Sequence, residues 1–302
     1  MWAITSYYNP VRYKRRLANY KIFRAHLQVP LVTVELSFDG DFELTKGDAD
    51  ILIQISGGAV VWQKERLLNV AMRSVPPDVD NIAWIDCDVV LTRSDWTEEA
   101  TWQLGQFNVV QLFSAATNLN AEDDGWNIEG HSAHSSVPGV VSFFNETGRI
   151  QLDKKPSGHI YRLGLAWAAK KAILHHHGFY DAAIAGAGDR SLVNALYGQF
   201  EDLIRIQNFN AAWREHYLRW ARPFHTSVAK RISCVPGHLY HLWHGDIENR
   251  GRLNRYNRLA HLNFDPNMDV VIGNNQAWHW ARPRPDLEKF FANFFIDRAE
   301  DG

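Results

Sequence analysis

Asn81-Ile82-Ala83-Trp84-Ile85-Asp86-Cys87-Asp88-Val89-Val90-Leu91 is the stretch on which the fold turns. Ile82 to Ile85 is an apolar run too short for a core helix, so it predicts a buried strand. The run ends in two carboxylates one residue apart, and a second apolar run follows. Ligands of open α/β sheets sit outside the carboxyl ends of the strands. Two carboxylates there offer hard oxygen ligands to a divalent cation of the kind shared with substrate phosphates. The same residues also suit a plain turn, with Asp side chains bonding nearby backbone.

Working outward on the N-terminal side, Trp2 to Tyr8 reads as a first strand, stopped by Asn9-Pro10. Tyr13 to His26 has helical spacing with Leu17, Tyr20, Phe23 and Leu27 as its inward candidates, and Lys14, Arg15 and Arg16 read as its solvated start, with phosphate binding as the lesser alternative. Val29 to Phe38 is dense in β-branched residues and reads as a strand, turned by Asp39-Gly40-Asp41. Ile51 to Ile55 is a third strand, and Trp62 to Ser74 an amphipathic helix stopped by Pro76-Pro77. The order β-α-β-β-α-β predicts an α/β domain with a mostly parallel central sheet flanked by helices. Trp96 to Leu104 continues as a helix and Val109 to Phe113 as a strand.

Beyond these, Asn118 to Gly139 has no period and reads as a mobile loop on the acceptor side; His131 and His134 in it are weak metal-ligand candidates. Gly164 to Ala169 packs small residues around Trp167. Lys170 to His177 reads as a helix capped by Gly178. In Gly186-Ala187-Gly188-Asp189, Asp189 is either the N-cap of a helix over 190–197 or a carboxylate aimed into a cleft. His238-Leu239-Tyr240-His241-Leu242-Trp243-His244 alternates His with bulky apolar residues in an extended pattern. His241 and His244 are ligand candidates, and imidazole with carboxylate oxygen suits Mn²⁺ better than an all-oxygen Mg²⁺ site. Arg252, Arg255 and Arg258 share a helix face by spacing, fitting either a diphosphate or acidic acceptor or a solvated surface.

The 302 residues are 46% hydrophobic and 22% charged, which fits a globular protein with a sizeable core. A net charge of −2 provides no global field for nucleic acid. Two cysteines, Cys87 and Cys234, make no disulfide framework, and no stretch reads as a signal peptide or membrane helix. The expected location is the cytoplasm. No linker or repeat divides the chain, so one domain over 1–302 is expected. Its nucleotide-binding half spans 1–115, and its acceptor-binding and metal-closing half spans 116–302.

Four ordered blocks carry a resemblance. Trp62-Gln63-Lys64-Glu65-Arg66-Leu67-Leu68-Asn69-Val70, Asp86-Cys87-Asp88, Gly164 to Asp189, and His241-Leu242-Trp243-His244 resemble the motifs of GT-A fold glycosyltransferases, nearest the β-1,4-galactosyltransferase and related family-2 group. The resemblance implies a metal-dependent transferase moving a sugar from a nucleotide diphosphate sugar, UDP-sugar favoured, to an acceptor hydroxyl. It puts Trp62, Lys64, Asp86, Tyr7 and Asp39 on the donor, and Asp88, His241 and His244 on Mn²⁺, with Mg²⁺ as alternative. It makes Asp189 the base, with inversion, and assigns Trp167, Gly188 and Arg252 to the acceptor. Asp123, Asp124 and Glu129 are reserve bases. Two departures stand out: the family's Glu before the catalytic Asp is Gly188, and its Met ligand is His241. A nucleotide-sugar-binding protein or degenerate transferase without turnover is the alternative, favoured by Gly188. A metal-dependent hydrolase is weaker, since no two-metal layout is visible.

Overall fold

The structure, a computed structural model, describes residues 1–123, 136–150, 160–246, 249 and 252–302. The chain opens with β1 (Trp2–Tyr8), α1 (Lys14–His26), β2 (Leu31–Ser37) and β3 (Ile51–Ser56). It continues with α2 (Lys64–Arg73), β4 (Asn81–Ile85), β5 (Val89–Leu91), α3 (Trp96–Gln106) and β6 (Val109–Gln111). These follow the sequence periods closely. The next elements are β7 (Ala115–Asn118), β8 (Val137–Pro138), α4 (Val140–Thr147), β9 (Ala166–Lys170) and α5 (Lys171–His177). Then come α6 (Gly188–Tyr197), α7 (Phe200–Ile206), α8 (Ala211–Val228), β10 (Ile232–Cys234) and β11 (His238–His241). The last are α9 (Arg252–His261), β12 (Val270–Ile272), β13 (Trp278–Trp280) and α10 (Pro285–Ile296).

Seven strands form the large sheet in the order β10-β6-β9-β4-β1-β2-β3. Neighbours from β4 to β3 are parallel, as are β10 and β6, while β9 lies antiparallel between β4 and β6. The architecture is therefore α/β, and its sheet is mixed. The alternation along β4 explains the two-sided core. Ile82 and Trp84 enter the larger cluster with residues of α2, α6 and α8, whereas Ala83 and Ile85 enter the cluster beneath α1 and α3.

The carboxylate motif is where the chain changes sheets. β4 ends at Ile85, and β5 joins a second sheet of order β5-β11-β7-β8. Asp86 N–H donates to the Leu165 carbonyl at 2.8 Å, and Leu242 N–H donates to the Asp88 carbonyl at 2.8 Å. The motif is thus tied to β9's approach on one side and to the end of β11 on the other. β2 and β3 lie on one side of β1 and β4 on the other, so strand order reverses between β1 and β4. Such a reversal leaves a crevice beyond the strand ends. Among the described residues no helix is long and apolar enough to cross a membrane.

Candidate functional site

A cavity of about 580 Å³ opens at that reversal, lined by Thr5 to Tyr8 at the end of β1 and Ile85 to Asp88 after β4. Lys64 from α2, Asp189 from α6, and His241 and His244 after β11 complete its polar floor. This size suits a bound small molecule.

Register brings the first group together. β11 pairs antiparallel with β5 so that His241 stands opposite Val89, one residue from Asp88. His244 returns three residues later. Its Nε2 lies 3.2 Å from Asp88 Oδ2, and His241 Nε2 lies 3.7 Å from Asp88 Oδ1. The two Nε2 atoms are 3.2 Å apart, and one donor atom from each of the three residues falls within 4.8 Å of the others. His241 Nδ1 faces Asn118 Oδ1 at 3.1 Å, and the tautomer with its proton on Nδ1 would leave Nε2 as the lone-pair donor. Converging imidazole lone pairs repel each other unless a proton on one ring or a shared cation lies between them. Two nitrogens each about 2.1 Å from a shared ion stand roughly 3 Å apart at near-right angles. The donor set therefore fits a divalent metal, with three protein ligands and room for more.

Glu300 braces this group from behind. Its Oε1 stands 3.7 Å from His244 Nδ1 and accepts from Arg298 Nε at 2.5 Å, and the carboxylate also pairs with Arg16. Burial alone would raise the Glu300 carboxyl, but Arg16 and Arg298 outweigh it and hold it well below the usual range. A charged carboxylate behind a ligating imidazole fixes the ring and raises its basicity.

The second group centres on Lys64, whose Nζ lies 2.5 Å from Asp86 Oδ1 and 3.2 Å from Asp189 Oδ1. Burial would lower the Lys64 ammonium, yet Asp189 and Asp86 reverse that and hold it up. Asp86 is pushed up to about 7 by burial first, then by Asp189 and Asp88, against the pull of Lys64. Asp189 does not cap its helix. The N-cap is Ala187, at φ 68°, with no side-chain bond, and Asp189 stands in the first turn. The tight entry through Gly186 and Ala187, both at positive φ, turns its carboxylate toward the cavity. Gly164 faces it so closely that a Cβ there would collide with both carboxylate oxygens.

Gly188 has a counterpart reason. A Cβ at that position would overlap Glu65 Oε1. The volume that the resemblance gives to a glutamate at 188 is filled by a glutamate from α2. Glu65 is 6% exposed, and burial pushes its carboxyl up to about 8, with Asp189 adding to the rise and Lys64 opposing it. A folded-state value above the ordinary 4.5 means stability is full below 4.5 and falls as pH rises through about 8. Glu65→Gln should therefore melt higher than the parent at pH 8.5, by an amount on the order of a few kcal/mol, with little difference at pH 4.5. Thermal melts at both pH values check this, and equal melting at pH 8.5 would refute the buried acid.

The other expected site residues divide. Tyr7 lines the cavity but is 2% exposed, and its hydroxyl donates to Glu43 at 2.9 Å. Trp62 also lines it; its ring stacks on Phe295 at 3° and carries the Arg298 guanidinium 5.2 Å above it. Asp39 lies outside this cavity, accepting from Arg12 at 2.7 Å and from Ser37 at 2.8 Å. Trp167 does not line the cavity. It is fully buried, stacks on Trp84 at 8°, and donates to the Leu163 carbonyl at 2.9 Å. Trp167→Ala should cost about 3–5 kcal/mol of stability, measured by denaturant unfolding, as for other buried aromatic truncations. Arg252 opens α9, and its side chain lies outside the described residues, as do His131, His134, Asp124 and Glu129. Asp123 accepts from Asn120 N–H at 2.5 Å and does not line the cavity.

Sequence reasoning missed Arg16, Glu65, Arg298 and Glu300. Arg16 is not solvated but turned inward, on the α1 face of Asn19, Tyr20 and Phe23. Its spacing to those residues was the available signal.

No protein-family model matches the chain, and no curated protein matches it. Among solved structures, residues 1–349 of TarS from S. aureus align over 98% of this chain and 70% of that one, at 13% identity and a TM-score of 0.40. A 4-diphosphocytidyl-2C-methyl-D-erythritol synthase from Anaerococcus prevotii aligns over 78% and 86%, at 10% identity and a TM-score of 0.35.

Proposed function

We infer that the chain is a metal-dependent glycosyltransferase of GT-A type, moving a sugar from a nucleotide diphosphate sugar, UDP-sugar favoured, to an acceptor hydroxyl with inversion. The observation that carries the reading is the meeting of Asp88, His241 and His244 with Lys64, Asp86 and Asp189 in one cavity at the reversal of strand order. Asp88, His241 and His244 would hold a divalent ion, Mn²⁺ by donor type, which supplies Lewis-acid neutralisation of the leaving diphosphate. Asp86 would accept hydrogen bonds from ribose or sugar hydroxyls. Asp189 would take the proton from the attacking hydroxyl. Lys64 holds these two carboxylates on one cation, which fixes their spacing across the cavity floor. One carboxylate base with one displacement gives inversion.

The 3.2 Å Lys64–Asp189 ion pair also favours a second reading, a nucleotide-sugar-binding protein without turnover, because the Lys64 ammonium occupies an oxygen that an acceptor hydroxyl would need. A melting-temperature panel of nucleotides and nucleotide sugars with Mn²⁺ or Mg²⁺ tests both. A ligand at 100 times its Kd stabilises by about 2.7 kcal/mol. UDP with Mn²⁺ is expected to raise Tm, and a UDP-sugar to release UDP over time. Absence of any nucleotide-dependent shift would overturn the donor assignment; a shift without UDP release favours the binding protein.

A further inference from the structure

We propose that Arg162 and Arg255, with Arg190 beside Arg255, form a subsite for an anionic group of the acceptor, a phosphate or a carboxylate. This rests on the transferase reading for the word acceptor, but the anion site stands on its own geometry.

Among the described residues, six Lys and Arg side chains and four carboxylates line the cavity. Asp86 and Asp189 share Lys64, Asp88 lies against the two imidazoles, and Glu300 takes both Arg16 and Arg298. No carboxylate of the described residues pairs with Arg162 or Arg255. Each has a buried Nε without a hydrogen-bond partner among the described residues. Burial acts on the Arg162 guanidinium with no offsetting charge and pulls it below its usual value. Arg255 gives one bond, from Nη2 to the Tyr256 hydroxyl at 2.5 Å, and lies over the Tyr256 and Phe294 rings. Stacking on rings orients the guanidinium plane but does not neutralise it.

Holding half-buried guanidiniums without counter-charge costs stability. Their planar forks match phosphate and carboxylate oxygens in pairs, which a bound anion would use. Arg255 also neighbours Arg298, which lies over Trp62, so titration with UDP distinguishes this subsite from the donor side. Arg190 directly follows Asp189, and Arg255 Nη1 stands 3.4 Å from where a Cβ on Gly186 would lie, on the strained entry to α6. Arg190 and Arg255 therefore stand at the turn that carries the proposed base, where the attacking hydroxyl must arrive, and Arg162 lines the same cavity. An acceptor with an anion near its nucleophilic hydroxyl would be anchored by them and kept within reach of Asp189.

Calorimetric titration of the full chain tests this with two probes, inorganic sulfate for a phosphate and malonate for a carboxylate. Ionic strength is held constant, and UDP and Mn²⁺ are present to fill the donor side. One probe should bind the parent, with at least ~10-fold weaker binding in Arg162→Gln and Arg255→Gln. Arg255→Lys, which keeps charge but loses the fork, should weaken binding less. UDP affinity measured without either probe should change by less than about twofold. Absence of binding by both probes, or equal binding in the parent and both Gln variants, overturns the subsite. Loss of UDP affinity in the Gln variants with sulfate binding intact assigns the arginines to the donor and also overturns it. If UDP fails to bind any variant while sulfate still binds through the arginines, the anion subsite stands and the transferase reading falls. Melting temperatures without ligand confirm that each variant is folded.

Discussion

Asp88→Ala and His244→Ala are each expected to abolish Mn²⁺-dependent UDP binding, weakening it by at least ~100-fold, with the parent's secondary structure retained. The scale follows from graded roles. Removing a group that merely braces a metal ligand typically costs 10–100-fold in metal affinity, so removing a ligand itself should cost more. Glu300→Gln supplies the comparison, because it keeps shape behind His244 but removes the charge facing Nδ1 at 3.7 Å. It should fall in the 10–100-fold range. Asp88 is one-quarter exposed at its side chain, so its loss leaves no large cavity. The measurement is UDP titration at varied Mn²⁺. Undiminished Mn²⁺-dependent binding in both Ala variants would remove the metal centre from the molecule.

Asp189→Asn should lower transfer by ~10²-fold or more while donor and metal binding stay near those of the parent. The amide fits the same space between Gly164 and Lys64, yet cannot take a proton. Gly164→Ala makes an independent test of the same atom. The added methyl must push the carboxylate off its position, so turnover should fall with the base chemically intact. If Asp189→Asn transfers sugar at close to the parent rate, the base is elsewhere and Asp189 serves only to hold Lys64.

Much of the first half was legible because its signals are local. The strand reading of β1, the short apolar run of β4, β-branched density in β2 and the amphipathic period of α2 each lie within one window of sequence. β9 was not read as a strand, and its direction depends on pairing with β4 and β6, which no short window encodes. α8 was missed too; it carries Pro223 inside the helix, a residue that argues against helix from sequence alone. At the site, Asp88, His241 and His244 could be named from residue type and spacing. What joins them is the Val89–His241 register, visible only once β11 lies against β5. The Arg16–Glu300 pair spans 284 residues and leaves no trace in local pattern. The exchange of bulk between positions 65 and 188 is likewise a fact of space, since each residue alone reads as a departure.

The brace on His244 carries a consequence for the order of events during synthesis. Arg16 belongs to the first helix and Glu300 to the far end of the described chain, and the Glu300 that Arg16 holds backs the His244 imidazole. A nascent chain emerges N-terminus first, and its domains fold as units. β1, α1 and the carboxylate motif can therefore assemble early, but the imidazole pair lacks its charged backing until residue 300 has left the ribosome. On the proposed metal reading, stable loading would thus wait for residue 300, and chains truncated before that residue should hold metal poorly, whatever ions surround them.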